Sequence, residues 1–170
     1  MKRSVHAATL SLALLCGPAL GAEAPTGQAV VLDGDTLRLK GSVVGLFGIA
    51  APAPEQTCEG AAGRPVACGA DAARALAARI GGAGVVCEPR GLDRHRRPVA
   101  LCRVDGEDLS AWMVAHGYAV ADRLSASDYV PQETRAWATR RGLWAGVFEE
   151  PSNRRRIDAT APAQMAVLAK

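Results

Sequence analysis

Apolar and polar residues alternate in short runs between Gln28 and Ile49, and they recur every three or four residues from Ala70 to Ile80 and again beyond Asp108. Gln28 to Leu32 reads as a strand, and Asp33-Gly34-Asp35 follows it as a turn signal. Thr36-Leu37-Arg38-Leu39 alternates like a half-buried strand, and Lys40-Gly41-Ser42 turns the chain again. Val43 to Ile49 predicts a third strand carrying two glycines, and Ala50 to Pro65 is a loop rich in proline and glycine. From Ala70 to Ile80 the period becomes helical, with Ala73, Leu76, Ala77 and Ile80 on one face and Gly81-Gly82 as the stop. Two short β-like runs, Val85-Val86-Cys87 and Val99 to Cys102, flank the polar link Gly91 to Arg97. Asp108 stands where a helix N-cap belongs, Leu109, Trp112, Met113 and His116 line one face, and Gly117 ends that helix. A third helix is expected from Val130-Pro131, with Trp137 and Trp144 both on it and Gly142 near its end. The helical spacing of Trp112, Trp137 and Trp144 reads as core.

Five short strands, one helix between the third and fourth, and two helices after the fifth predict an α+β, mainly β, architecture. It is the OB-fold plan: a five-stranded Greek-key barrel with three packed helices. A chain of 170 residues that is 49% hydrophobic suits one such domain.

The N-terminus changes the picture of location and charge. Lys2 and Arg3 precede an apolar run from Ala7 to Leu20, too short to span a bilayer and arranged as a secretory signal, with cleavage after Gly21 or Ala22. The expected organisation is a signal peptide at 1–22, a domain at 23–150 and a flexible tail at 151–170 holding Arg154-Arg155-Arg156. The mature protein is expected to be periplasmic or secreted, monomeric and without stable membrane association. Losing Lys2 and Arg3 leaves 18 of the 20 basic residues against 17 acidic ones, so the formal +3 becomes +1. That charge is too mild to establish a nucleic-acid partner, and 4% aromatics argue against a long stacking groove.

Export makes disulfides the default for the four remaining cysteines, Cys58, Cys68, Cys87 and Cys102, which allow three connectivities. A hairpin that pairs Cys87 with Cys102 also sets Arg90 opposite Val99, a register that favours that bridge and leaves Cys58 to pair with Cys68 across a glycine-rich loop. No C-x-x-C occurs, and His95 and His116 lack ligand spacing, which argues against zinc.

Three ordered segments resemble the thermonuclease (staphylococcal nuclease-like) family: Val31-Leu32-Asp33-Gly34-Asp35-Thr36-Leu37, Leu46-Phe47-Gly48-Ile49-Ala50-Ala51-Pro52, and Asp93-Arg94-His95-Arg96-Arg97. Cys68 to Ala73, Leu109 to Trp112 and Arg141 to Trp144 are similar to its secreted bacterial members. The resemblance implies a Ca²⁺-dependent phosphodiesterase acting on DNA or RNA. It implies two calcium aspartates, a glutamate that activates water, and two arginines on the phosphoryl oxygens.

Carried over residue by residue, the pattern is mostly lost. Asp35, with Asp33 beside it, keeps one calcium position, and Arg97 keeps the second arginine. The first arginine position is Gly45, the second calcium aspartate is Ala50 and the general-base glutamate is Ala53. A Tyr-Gly of the family reads His95-Arg96, and a tyrosine beyond the second helix reads Asp122. The expectation is an exported domain with impaired or absent catalysis and, without activity, no cofactor. One alternative is a residual nuclease using Asp35, Arg97 and Glu55, the last two residues beyond Ala53, with Arg38 as a replacement guanidinium. Another is a polyanion-binding module that holds DNA or RNA weakly through the cluster of Arg94, Arg96 and Arg97 and the Arg154 to Arg156 tail. Against these stand structural readings: Asp33 to Thr36 as a turn, Glu55 as a solvated loop carboxylate, Arg38 as a surface residue and the arginines as a hairpin tip.

Overall fold

Alternating side chains build the barrel in this computed structural model, which describes residues 26–93 and 96–151. Residues 1–25, with the expected signal segment, Arg94, His95 and the residues from 152 on, with Arg154 to Arg156, lie outside the described residues. Strands β1 (Thr26–Asp33), β2 (Thr36–Leu39) and β3 (Ser42–Leu46) form an antiparallel meander. Two very short strands follow, β4 (Ile49–Ala50) and β5 (Cys58–Glu59), then β6 (Pro65–Val66). Helix α1 (Cys68–Ile80) leads to the long hairpin β7 (Gly84–Leu92) and β8 (Pro98–Val104). β7 pairs with β1, and β8 pairs in parallel with β3, which closes a five-stranded mixed barrel of OB type. The short β9 (Glu107–Asp108) pairs antiparallel with the end of β8 and runs into α2 (Leu109–Ala115). β10 (Val120–Ala121) pairs with β4, and α3 (Val130–Ala138) with a 3-10 turn at Gly142–Ala145 completes the described chain.

The barrel is filled from alternate positions. Leu37 and Leu39 on β2, Val85 and Cys87 on β7, and Ala100, Cys102 and Val104 on β8 are buried in one cluster. Leu76 and Ile80 of α1 close one side of it, and Leu109, Met113 and Val114 of α2 another. The two disulfides join Cys87 to Cys102 inside that core and Cys58 to Cys68 in a smaller one.

Most expected elements appear, with five corrections. Glycine splits the third strand: Gly48 takes φ +72°, so the chain turns between β3 and β4. The Ala50 to Pro65 loop contains the two-stranded β5–β6 pair, closed by the Cys58–Cys68 bridge. The buried stripe of α1 is Cys68, Gly69, Ala72, Leu76 and Ile80, while Ala77 is exposed. In the hairpin the Cys87–Cys102 register holds only to Pro89. A bulge at Arg90 then sets Gly91, not Arg90, opposite Val99. The third helix stops at Ala138, because Arg140 and Gly142 both adopt positive φ. Trp144 therefore sits on the separate 3-10 turn, and Trp137 is 63% exposed instead of core.

Caps follow local chemistry. Asp108 accepts hydrogen bonds from the backbone N–H of Ser110 (2.9 Å) and Ala111 (3.2 Å), so it is the N-cap of α2. Its second oxygen accepts the Tyr129 hydroxyl at 3.0 Å, which ties α2 to the start of α3.

Candidate functional site

Strand pairing brings the family's scattered positions to one region of the barrel. Asp35 sits in the β1–β2 turn, and its neighbour Thr36 pairs with Gly45 on β3. Gly45 pairs in turn with Val99 on β8, two residues beyond Arg97, which precedes that strand. The backbone thus assembles the region even though the side chains differ.

The Asp33-Gly34-Asp35 turn is braced from three sides. Gly34 has no room for a side chain: a Cβ there would lie 2.7 Å from both Ala51 Cβ and Ala72 Cβ. Asp35 is buried, and its Oδ2 accepts the Ala51 N–H at 2.6 Å while its Oδ1 accepts the Thr36 hydroxyl at 3.0 Å. Asp33 Oδ1 accepts the Asp35 N–H at 2.9 Å. Burial first, and the charge of Asp35 second, push the Asp33 carboxyl above its ordinary 3.8. The turn ties β4 and α1 to the barrel, which gives both aspartates a structural task.

Around it, the groups expected of a nuclease are replaced by packing. Ala50 is buried in an apolar cluster with Cys58, Cys68, Val120 and Leu143. Gly45 faces Val99, whose Cγ1 would lie 3.3 Å from an added Cβ. Ala53 belongs to a clamped loop: its N–H donates to Gln56 Oε1 at 3.3 Å and its carbonyl accepts the Gln56 N–H at 2.8 Å. The buried Gln56 also donates through Nε2 to the Glu149 carbonyl at 3.0 Å, and its own carbonyl accepts the Gly69 N–H at 3.2 Å. A Cβ on Gly69 would fall 1.7 Å from the Ala53 oxygen, so loop and helix are in backbone contact. Glu55 projects from this loop as an exposed residue.

Arg97 is half-buried at the foot of β8. Its Nε donates to Asp93 Oδ2 at 2.8 Å, and its N–H donates to Asp93 Oδ1 at 2.9 Å. Asp93 thereby claims one edge of the guanidinium and closes the hairpin tip, where Arg96 is exposed with φ +61°. Arg38 is exposed on β2, between the buried Leu37 and Leu39. Asp122, at the family's tyrosine position, caps a turn by accepting the Leu124 N–H and the Ser125 hydroxyl. Arg90 was not singled out by sequence. The bulge holds its guanidinium 5.9 Å from the Phe47 ring centre, and nothing in the β-period of the sequence marks that shift.

A sequence model of the staphylococcal nuclease homologue family matches residues 43–146. The chain belongs to that family. A relative among the staphylococcal nuclease homologues, the succinoglycan biosynthesis protein ExoI of Rhizobium meliloti (strain 1021), is 35% identical over 140 residues. The match spans 81% of this chain and 73% of the relative.

Members of the family depend on Ca²⁺, so the donor set here must be set against that ion. Calcium takes six to eight oxygen ligands, with affinity rising with ligand charge. Among the described residues no group of three or more His, Cys, Asp or Glu could hold a metal ion. Asp33 and Asp35 spend carboxylate oxygens on backbone N–H groups and a hydroxyl, and the second ligand position is an alanine in an apolar cluster. These residues do not fit the ion.

Proposed function

We propose that this staphylococcal nuclease homologue is an exported, disulfide-stapled OB domain that does not hydrolyse nucleic acid at a useful rate. The observation that carries this reading is Ala50, buried among apolar side chains where a calcium carboxylate would stand. Gly45 and Ala53 remove the first guanidinium and the general base from the same nine-residue stretch. Groups of these kinds each supply about 10²–10⁴-fold in typical enzymes, and their loss together leaves no path that the remaining groups replace. Glu55 would have to leave a loop clamped by Gln56 and Gly69, and Arg97 would have to share a guanidinium already engaged by Asp93. The signal-like segment at 1–22, the domain bounds at 23–150 and a monomeric, periplasmic or secreted product belong to this proposal. Two disulfides support export. The Rhizobium relative is named for the biosynthesis of a glycan, which supports a task other than nucleic-acid breakdown.

Calcium titration of the oxidised mature protein by calorimetry tests it. The expected result is no saturable binding up to about 1 mM. Binding tighter than that, lost in Asp35→Ala, would show that a working ion site exists and would contradict the reading.

A further inference from the structure

A cavity of about 550 Å³ opens between α3, the 3-10 turn and β10. Its walls include Trp137, Trp144 and Phe148, with Val120 and Val147 completing the apolar part. Arg123, Arg140, Glu133 and Glu150 supply its polar part. None of these residues belongs to the nuclease positions described above.

Three features of this cleft call for a ligand. The Trp137 indole is 63% exposed on α3 where packing would normally hide it. The Trp144 indole N–H is buried and has no acceptor among the described residues, although the Phe148 ring holds it edge-on at 5.1 Å. Arg140 takes φ +52° just beyond α3, a position where glycine is cheaper, and no ion pair among the described residues includes it.

The mixture selects a chemical class. An exposed indole face attracts the C–H face of a pyranose ring, and the planar guanidinium of Arg140 matches a carboxylate in a bidentate fork. Glu133 is already engaged by Arg123 and by the Ala121 N–H at 2.9 Å, so it anchors the wall. A purely apolar ligand would leave the charged groups unmatched. We propose that this cleft binds an acidic oligosaccharide, with a sugar ring on Trp137 and its carboxylate on Arg140.

The test is a fluorescence titration of the oxidised protein with tetragalacturonate, with cellotetraose and an eight-nucleotide thymidine single strand alongside. Tetragalacturonate should quench tryptophan emission saturably and bind more tightly than the other two. Trp137→Ala should weaken it by about tenfold or more, and Arg140→Gln should erase the preference over cellotetraose, both without lowering the melting temperature. No saturation by tetragalacturonate up to about 10 mM would overturn the proposal. So would equal binding of cellotetraose, tighter binding of the single strand, or tetragalacturonate binding that Trp137→Ala leaves unchanged.

Discussion

Asp35 shows how a residue can keep its place in a motif while its surroundings give it different work. Its carboxylate fixes the Ala51 N–H at 2.6 Å in a buried turn, so Asp35→Ala leaves that donor without its partner. We expect a loss of about 1–3 kcal/mol in urea unfolding without calcium, and a smaller loss for Asp35→Asn, which keeps a carbonyl oxygen. Equal stability of all three proteins would remove the structural task assigned here. Tyr129 offers a second residue-scale test. Burial first, then the charge of Asp108, pushes its hydroxyl well above the ordinary 10.0. A pKa raised in the folded state means that stability is intact below pH 10 and falls as the pH climbs above it. Tyr129→Phe should lose about 1 kcal/mol near neutrality, from the bond to Asp108, and should lower the alkaline slope of the unfolding curve. An unchanged slope would contradict the assignment.

At the scale of elements, what the sequence reveals depends on whether the signal is local. Period-2 alternation marked β2, the Asp108 cap marked α2, and Gly81, with φ +57°, marked the end of α1. The hairpin register predicted the Cys87–Cys102 bridge correctly but missed the bulge three residues on, because a bulge leaves no trace in hydrophobic spacing. Trp137 and Trp144 looked like one helical stripe. The break between them depends on Arg140 in a left-handed conformation, which the residue type does not advertise. The clamp of the 51–57 loop on α1 was equally hidden, since it depends on a backbone approach at Gly69. Gly69→Ala should therefore destabilise strongly, by more than about 3 kcal/mol, because Cβ and the Ala53 oxygen cannot share that space. Replacing both Cys58 and Cys68 by serine should cost about 3 kcal/mol, the scale set by closing a short loop in the unfolded chain. Thermal melts of each variant measure both, and a Gly69→Ala protein as stable as the parent would mean that loop and helix are not in contact.

For the whole molecule, the barrel was legible from the order of strands and helices, and the family positions were legible from their spacing. What spacing could not reveal is how the missing groups were absorbed. Ala50 became part of a small apolar core with the Cys58–Cys68 disulfide, Val120 and Leu143, and Gly45 came to lie against Val99. The cleft that carries Trp137 and Arg140 joins residues from β10 to the end of the described chain, so no motif announced it. Restoring the nuclease groups therefore works against the packing. Ala50→Asp alone should destabilise the protein by at least about 2 kcal/mol at neutral pH, by placing a carboxylate among apolar neighbours.

The central claim concerns chemistry, and cleavage measures it most directly. The oxidised protein, incubated in excess over a labelled single-stranded DNA and an RNA of the same sequence with Ca²⁺, Mg²⁺ or Mn²⁺ in turn, should hydrolyse neither above the rate of Asp35→Ala. Calcium-dependent cleavage by the parent protein that disappears in Asp35→Ala and in Arg97→Ala would show that the retained groups still form a working nuclease.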